Sequence, residues 1–206
     1  MAPKVSLEHK ERKRQEILQA ALRVFREKGF EPTTMQDIVI EAGISRGGLY
    51  SYFSSTEEIF LTLVKQFDDL RLNALDELCR MYGSGWEAFD AFLKGLENGL
   101  IGIASTPTPV MFEYSVISWR KKDVKLEMMG YQDWIKHFTA FLETGVRNGE
   151  FHPEMPLNLI AQILLSFING ISFTVIEYGP EEVDVTGQIQ GLREMFKKIL
   201  QYKENK

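Results

Sequence analysis

A single glycine, Gly43, separates two short helical patterns between residues 34 and 60, and this arrangement restricts the fold more than any other stretch of the chain. Thr34 is a good N-cap, and Asp37 follows three residues later, where an acid favours a helix N-terminus. Ile38 and Ala42 share one helical face, with Val39 beside them. Gly43 supplies the positive φ that ends a helix sharply. Ser45 caps the next helix, and Leu49 and Phe53 give it an apolar stripe. A short helix, a tight Gly turn and a second short helix make a helix-turn-helix, whose second helix can enter the major groove of DNA.

The outer face of that second helix is unusual. Ser45, Arg46, Gly47 and Gly48 come first, then Tyr50 and Tyr52. Two adjacent glycines cost roughly 2 kcal/mol of helix propensity relative to Ala. A helix whose start must come close to a base edge or a phosphate has a use for them. Arg46 is the one long donor there, and Arg on guanine is the commonest specific base contact. The tyrosine hydroxyls and the capping Ser and Thr suit phosphate oxygens. A small helical hairpin with a Gly-rich turn is the other reading of the same residues.

The stretch resembles the DNA-binding signature of TetR-family transcriptional regulators. Thr34, Ala42-Gly43-Ile44-Ser45, Tyr50, Phe53 and the pair Glu57-Glu58 stand in its register. Two positions depart from it. Val39 replaces a usual Ala, which alters packing, and Thr56 stands where the family has a Lys that touches phosphate. Ser54, Ser55 and Thr56 can still donate hydrogen bonds, with one positive charge fewer. On this reading Ser45, Arg46 and Gly47 face bases, while Thr34, Tyr50, Tyr52 and Thr56 hold phosphates.

The net charge of −5 over 206 residues argues at first against nucleic acid. Its distribution argues the other way. Residues 1–56 hold nine Lys/Arg and seven Asp/Glu, giving +2, which leaves −7 for the rest. The basic part is therefore the part with the helix-turn-helix. Lys10, Arg12, Lys13 and Arg14 lie near where phosphates would run, although a solvated charged helix explains that cluster as well. One cysteine, Cys79, excludes an intrachain disulfide and suits a reducing compartment. The N-terminus lacks a signal-peptide core, so a cytoplasmic location is expected. Leu157 to Ile176 is apolar but carries Asn158, Gln162, Ser166, Asn169 and Ser172, and it reads as a buried helix rather than a membrane span.

Taken in order, the chain predicts an all-α fold of about nine helices, three forming the helix-turn-helix unit and six a bundle behind it. Lys10 to Lys28 is amphipathic and stops at Gly29 and Pro32. Glu57 to Met81 forms a long helix whose first turn belongs to the DNA-binding unit. The boundary is placed inside it, giving residues 1–65 for DNA binding and 66–206 for effector binding and dimerisation. Helical patterns then run over Trp86–Ala104, Val110–Trp119, a long stretch from Lys122 to Asn148 with Leu126 and Met129, Leu157–Tyr178 and Val185–Tyr202. The Leu157–Tyr178 pattern is apolar on nearly every face, so burial on several sides is expected.

The body pattern also resembles the TetR family, more weakly, through Asn148-Gly149-Glu150-Phe151, the following prolines and Asn169-Gly170. That resemblance implies a homodimer built on the last two helices, an effector pocket in the body and a near-palindromic double-stranded operator. Two recognition helices roughly 34 Å apart would read it. Phe89, Phe112, Trp134, Phe138 and Phe167, with Glu113 and His137, are the candidate pocket residues, each of them also readable as plain core or helix edge. Glu113, His137, Asn169 and Glu177 interrupt apolar patterns, and a buried carboxylate would ask for a cationic ligand. No catalytic constellation, metal site or cofactor is expected. His9, His137 and His152 are far apart in sequence, and no phosphate loop or nucleophile elbow occurs. A dimeric, ligand-released repressor is the leading reading. A helical ligand-binding or adaptor protein of the same fold, with weak or lost DNA binding, is the alternative.

Overall fold

The computed structural model describes residues 7–121 and 130–203. Among them are nine α-helices and one 3-10 turn. They are α1 (Leu7–Lys28), α2 (Met35–Ala42), α3 (Arg46–Tyr50), α4 (Thr56–Met81), α5 (Gly85–Ile101), η1 (Ile103–Ser105), α6 (Thr108–Lys121), α7 (Tyr131–Arg147), α8 (Leu157–Tyr178) and α9 (Val185–Ile199). No strand occurs among the described residues. The all-α expectation therefore holds. Helix α1 starts three residues earlier than its charge pattern suggests. The first part of the stretch expected to be helical from Lys122 to Asn148, with Leu126 and Met129, falls outside the described residues, and its remainder is α7 (Tyr131–Arg147).

The chain forms two compact units. One runs through Phe67 and takes in α6; the other contains the remainder of α4, α5, η1 and α7 to α9. A single cut at residue 65 does not describe this grouping, because α6 is far away in sequence. The reason is hydrophobic. Val110 and Tyr114 of α6 are buried in one cluster with Ile17, Leu18, Phe25, Ile38, Leu49, Phe53 and Phe60.

In the first unit, α1 presents a continuous apolar stripe, with Ile17, Leu18, Ala20, Ala21, Val24 and Phe25 all buried. Four rings form its centre. Phe25 meets Phe60 edge-on at 5.5 Å between centroids, and Tyr114 stands at 4.7 Å from Phe30 and 4.9 Å from Phe60. Each buried ring contributes about 2 kcal/mol by area alone, with more from the edge-to-face geometry.

In the second unit, α5 and α7 cross at two glycines, and Phe89, Leu93, Phe138, Leu142, Leu164 and Phe196 fill the core. Helix α8 buries one face there: Ile160, Ala161, Leu164, Leu165, Ile168, Ile171, Ser172 and Val175. Its length and mean hydropathy of 2.0 match those of a membrane-crossing helix, but this face closes a protein core. The opposite face is exposed and carries Leu159, Phe167, Phe173 and Tyr178. All-round burial is thus not found: only one side of α8 is covered. The expected interior polar groups Asn169 and Glu177 also lie on the exposed side.

Candidate nucleic-acid interface

The helix-turn-helix is assembled by local chemistry. Thr34 and Asp37 form a reciprocal capping box. The Asp37 N–H donates to Thr34 Oγ1 at 3.2 Å, and the Thr34 N–H and hydroxyl donate to Asp37 Oδ2 at 2.9 and 2.7 Å. Lys28 adds an ion pair to Asp37 at 2.6 Å. The Lys28 and Thr34 bonds hold the Asp37 carboxyl well below the usual carboxylate range. Gly43 takes φ 61°, left-handed as its position requires. Ser45 Oγ then accepts the Gly48 N–H at 3.1 Å and caps α3. At the start of α4, Ser55 Oγ accepts the Glu58 N–H, and Glu58 reaches back to the N–H and hydroxyl of Ser54 at 2.7 and 2.6 Å.

Only Leu49 of α3 is buried. The rest of α3 faces outward, apart from Gly48, which is half covered. The Arg46 guanidinium lies 5.6 Å over the Tyr50 ring. Three other basic residues of this unit are tied to acids: Lys13 to Glu16, Arg23 to Glu41 and Lys28 to Asp37. Among the described residues no carboxylate pairs with Arg46, so its five donors stay available to a ligand. Nothing lies within 4 Å of where a Cβ on Gly47 would sit. The glycine is therefore not demanded by packing inside the chain.

The expected phosphate contacts are less uniform. Tyr50 is exposed and Tyr52 is half-buried against the core. The Thr34 hydroxyl is committed to its cap, donating to Asp37. Thr56 opens α4 and is half-buried. Arg14, one of the basic residues of α1, lies 5.1 Å over Phe53 and covers the core edge as well as carrying charge.

Within the second unit, Phe89, Trp134 and Phe138 belong to the core and Phe167 to an exposed groove. Phe89 and Phe138 are fully packed, joined through Phe92 with centroid distances of 6.2 and 5.4 Å. Trp134 stacks on Phe138 at 5.8 Å, and the Arg71 guanidinium sits 4.9 Å over Trp134. Arg71 and the buried Asp68, one turn apart on α4, escaped the sequence reading, because an Arg on a helix ordinarily reads as surface. Burial lowers the Arg71 pKa and the Asp68 charge opposes that fall. His137 is bonded to the Asp133 carbonyl of its own helix at 2.8 Å. Phe167 is exposed and lines an open groove of about 630 Å³ with Tyr131, Leu159, Ile163, Gly170 and Gln188.

Phe112 and Glu113 belong to α6 in the first unit. Glu113 accepts the backbone N–H of Phe30 at 2.8 Å and of Glu31 at 3.2 Å. It has partners of its own, so the argument for a cationic effector loses its motive.

The profile described as "Bacterial regulatory proteins, tetR family" matches residues 17–63, and "Tetracyclin repressor-like, C-terminal domain" matches residues 88–186. An uncharacterized HTH-type transcriptional regulator of Bacillus subtilis (strain 168), YfiR, is 40% identical over 205 residues, covering 99% of this chain and 100% of that protein. The HTH-type transcriptional repressor KstR2 of Mycolicibacterium smegmatis is 25% identical over 190 residues, covering 85% of each. Among solved structures, SmeT, the repressor of the Stenotrophomonas maltophilia multidrug efflux pump SmeDEF, superposes with a TM-score of 0.73 at 18% identity, covering 93% of this chain and 91% of that one. At that identity the likeness speaks for the fold.

Proposed function

Because the chain belongs to the TetR family of transcriptional regulators, we propose that it acts as a homodimeric repressor that binds a near-palindromic operator and is released by a small molecule. It is a DNA-binding regulator and not an enzyme. The observation that carries the reading is Arg46, exposed at the opening of α3 with no acid pairing with it among the described residues, beside a Gly47 that leaves room for close approach. Residues 1–65 would read DNA, with α6 packed among them. Residues 66–206 would bind effector and dimerise. Ser45, Arg46 and Gly47 would meet base edges; Tyr50, Tyr52, Thr34 and Thr56 would meet the backbone.

The exposed face of α8 supports self-association. It sets Leu159, Phe167, Phe173 and Tyr178 around the small residues Ser166 and Gly170, which allow close helix approach. Repression draws support from a relative, since KstR2 is a repressor, and effector control from a SmeT–triclosan complex that shares the fold with a TM-score of 0.69. The site of action would be cytoplasmic, where the operator is.

The test is selection of bound sequences from a random DNA pool by the purified protein. An enriched near-palindrome is the expected result. No enrichment from a folded protein would favour the second reading, an adaptor of the same fold. That reading is motivated by Thr56 in place of Lys and by the net charge of −5.

A further inference from the structure

We propose that two consecutive residues of α6, Glu113 and Tyr114, are positioning residues for DNA reading. They hold the chain segments that enter and leave the helix-turn-helix, so operator discrimination depends on them. This rests on the DNA-reading role proposed above.

The recognition helices are thinly anchored on their own. Helix α2 has eight residues and buries only Ile38; α3 has five and buries only Leu49. Helices this short have marginal stability in isolation, so neighbours set their placement. Helix α6 supplies a neighbour at each end. On the entry side, the Glu113 carboxylate accepts the N–H groups of Phe30 and Glu31, in the turn that leads from α1 to α2. Charge on the acceptor strengthens both bonds. The fit is specific to the turn: Gly29 sits at φ 84°, and a Cβ there would lie 2.8 Å from Glu113 Oε2. On the exit side, the Tyr114 hydroxyl donates to Glu57 Oε1 at 2.7 Å, in the first turn of α4.

Tyr114 is only 1% exposed, and its ring packs against Phe30 as well as Phe60. The two anchors therefore share a buried aromatic floor. Adjacent positions on a helix point about 100° apart, which is how one helix reaches two segments. The stretch between the anchors contains every residue assigned to base contact. A shift at either anchor changes where Arg46 arrives in the groove, while the positive charges that attract DNA stay as they are.

The test compares wild type with Tyr114→Phe, Glu113→Gln and Glu57→Gln at one salt concentration. Affinity is measured for the selected operator and for random-sequence duplex, with helicity followed by circular dichroism. Tyr114→Phe, which alters neither volume nor charge appreciably, should lower operator affinity about tenfold, the scale of one lost bond to a charged acceptor. Its affinity for random duplex should stay at the wild-type level, because that term counts phosphate contacts. Glu113→Gln leaves one acceptor oxygen for two N–H donors that now use both, and it should lower the operator-to-random ratio in the same way. Glu57→Gln retains an oxygen that accepts from Tyr114, and it should preserve the ratio.

A merely structural role would lower the melting temperature of Tyr114→Phe and leave its ratio unchanged, and that result overturns the proposal. If Glu113→Gln fails to fold, Tyr114→Phe decides alone. Failure of wild type to select any sequence would instead remove the DNA-reading role, and this inference with it.

Discussion

Gly85 and Gly145 pass each other backbone to backbone. A Cβ on Gly85 would lie 2.4 Å from Gly145 Cα, and one on Gly145 would lie 2.3 Å from the Phe151 ring. The crossing brings the start of α5 onto the end of α7. It places the Glu150 carboxylate against the N–H groups of Gly85 and Trp86 at 2.9 and 3.1 Å, and the Ser84 hydroxyl on it at 2.6 Å. Overpacking of a well-filled site costs about 1–3 kcal/mol, and Gly145→Ala belongs at the top of that range because the buried Phe151 ring stands where the new methyl would go. Urea unfolding measures this. A loss below about 0.5 kcal/mol, the ordinary surface range, would show that the helices can part without consequence.

Glu150 makes stability depend on pH. Burial works against its charge, but Ser84, the Trp86 and Gly85 amides and Asn148 outweigh burial, and its pKa is lowered. A folded-state pKa below the unfolded one stabilises the fold above the unfolded value. That contribution disappears as pH falls through the folded value. Glu150→Gln should therefore be less stable than wild type by about 2 kcal/mol at neutral pH, and the gap should close in acid. A gap of equal size at low pH would mean that the charge contributes nothing.

Gly47→Ala should separate stability from function. The Cβ meets open space, and Ala is favoured over Gly in a helix by up to about 1 kcal/mol. The variant should melt at or above the wild-type temperature and bind its operator less tightly. Unimpaired operator binding would remove Gly47 from the interface.

Arg46→Ala should cost about 1–3 kcal/mol at one base-pair position and relax preference there. Repeating the sequence selection with the variant reads this directly. A uniform loss over all sequences would reassign Arg46 to the phosphate backbone.

Thr56→Lys should restore a positive charge at the start of α4. Affinity should rise on all sequences, and the salt dependence should steepen by about one counterion. An unchanged salt slope would place residue 56 away from phosphate.

The helix-turn-helix was legible because its signals are local. The Thr34 cap, the left-handed Gly43 and the Ser45 cap each act within a few residues, and all three stand where the sequence places them. Helix number followed from apolar periodicity for the same reason. The role of Glu113 was not legible, since its partners Phe30 and Glu31 are more than eighty residues away and a carboxylate in an apolar pattern can be satisfied by backbone as well as by a ligand. Arg71 over Trp134 was hidden likewise, each residue being unremarkable until α4 and α7 are brought together. The exposed side of α8 escaped because composition reports how apolar a helix is, and not which of its faces the rest of the chain covers.

The membership of α6 in the first unit bears on how the protein is made. Phe25, Phe30 and Phe60 leave the ribosome early, but Val110 and Tyr114, which complete their cluster, come from the middle of the chain. Until then the nascent head has an open aromatic face, a surface on which chaperones and self-association compete. A fragment ending at residue 65 would carry that defect permanently, so the DNA-binding head is better regarded as a product of translation past Tyr114 than as an autonomous N-terminal module.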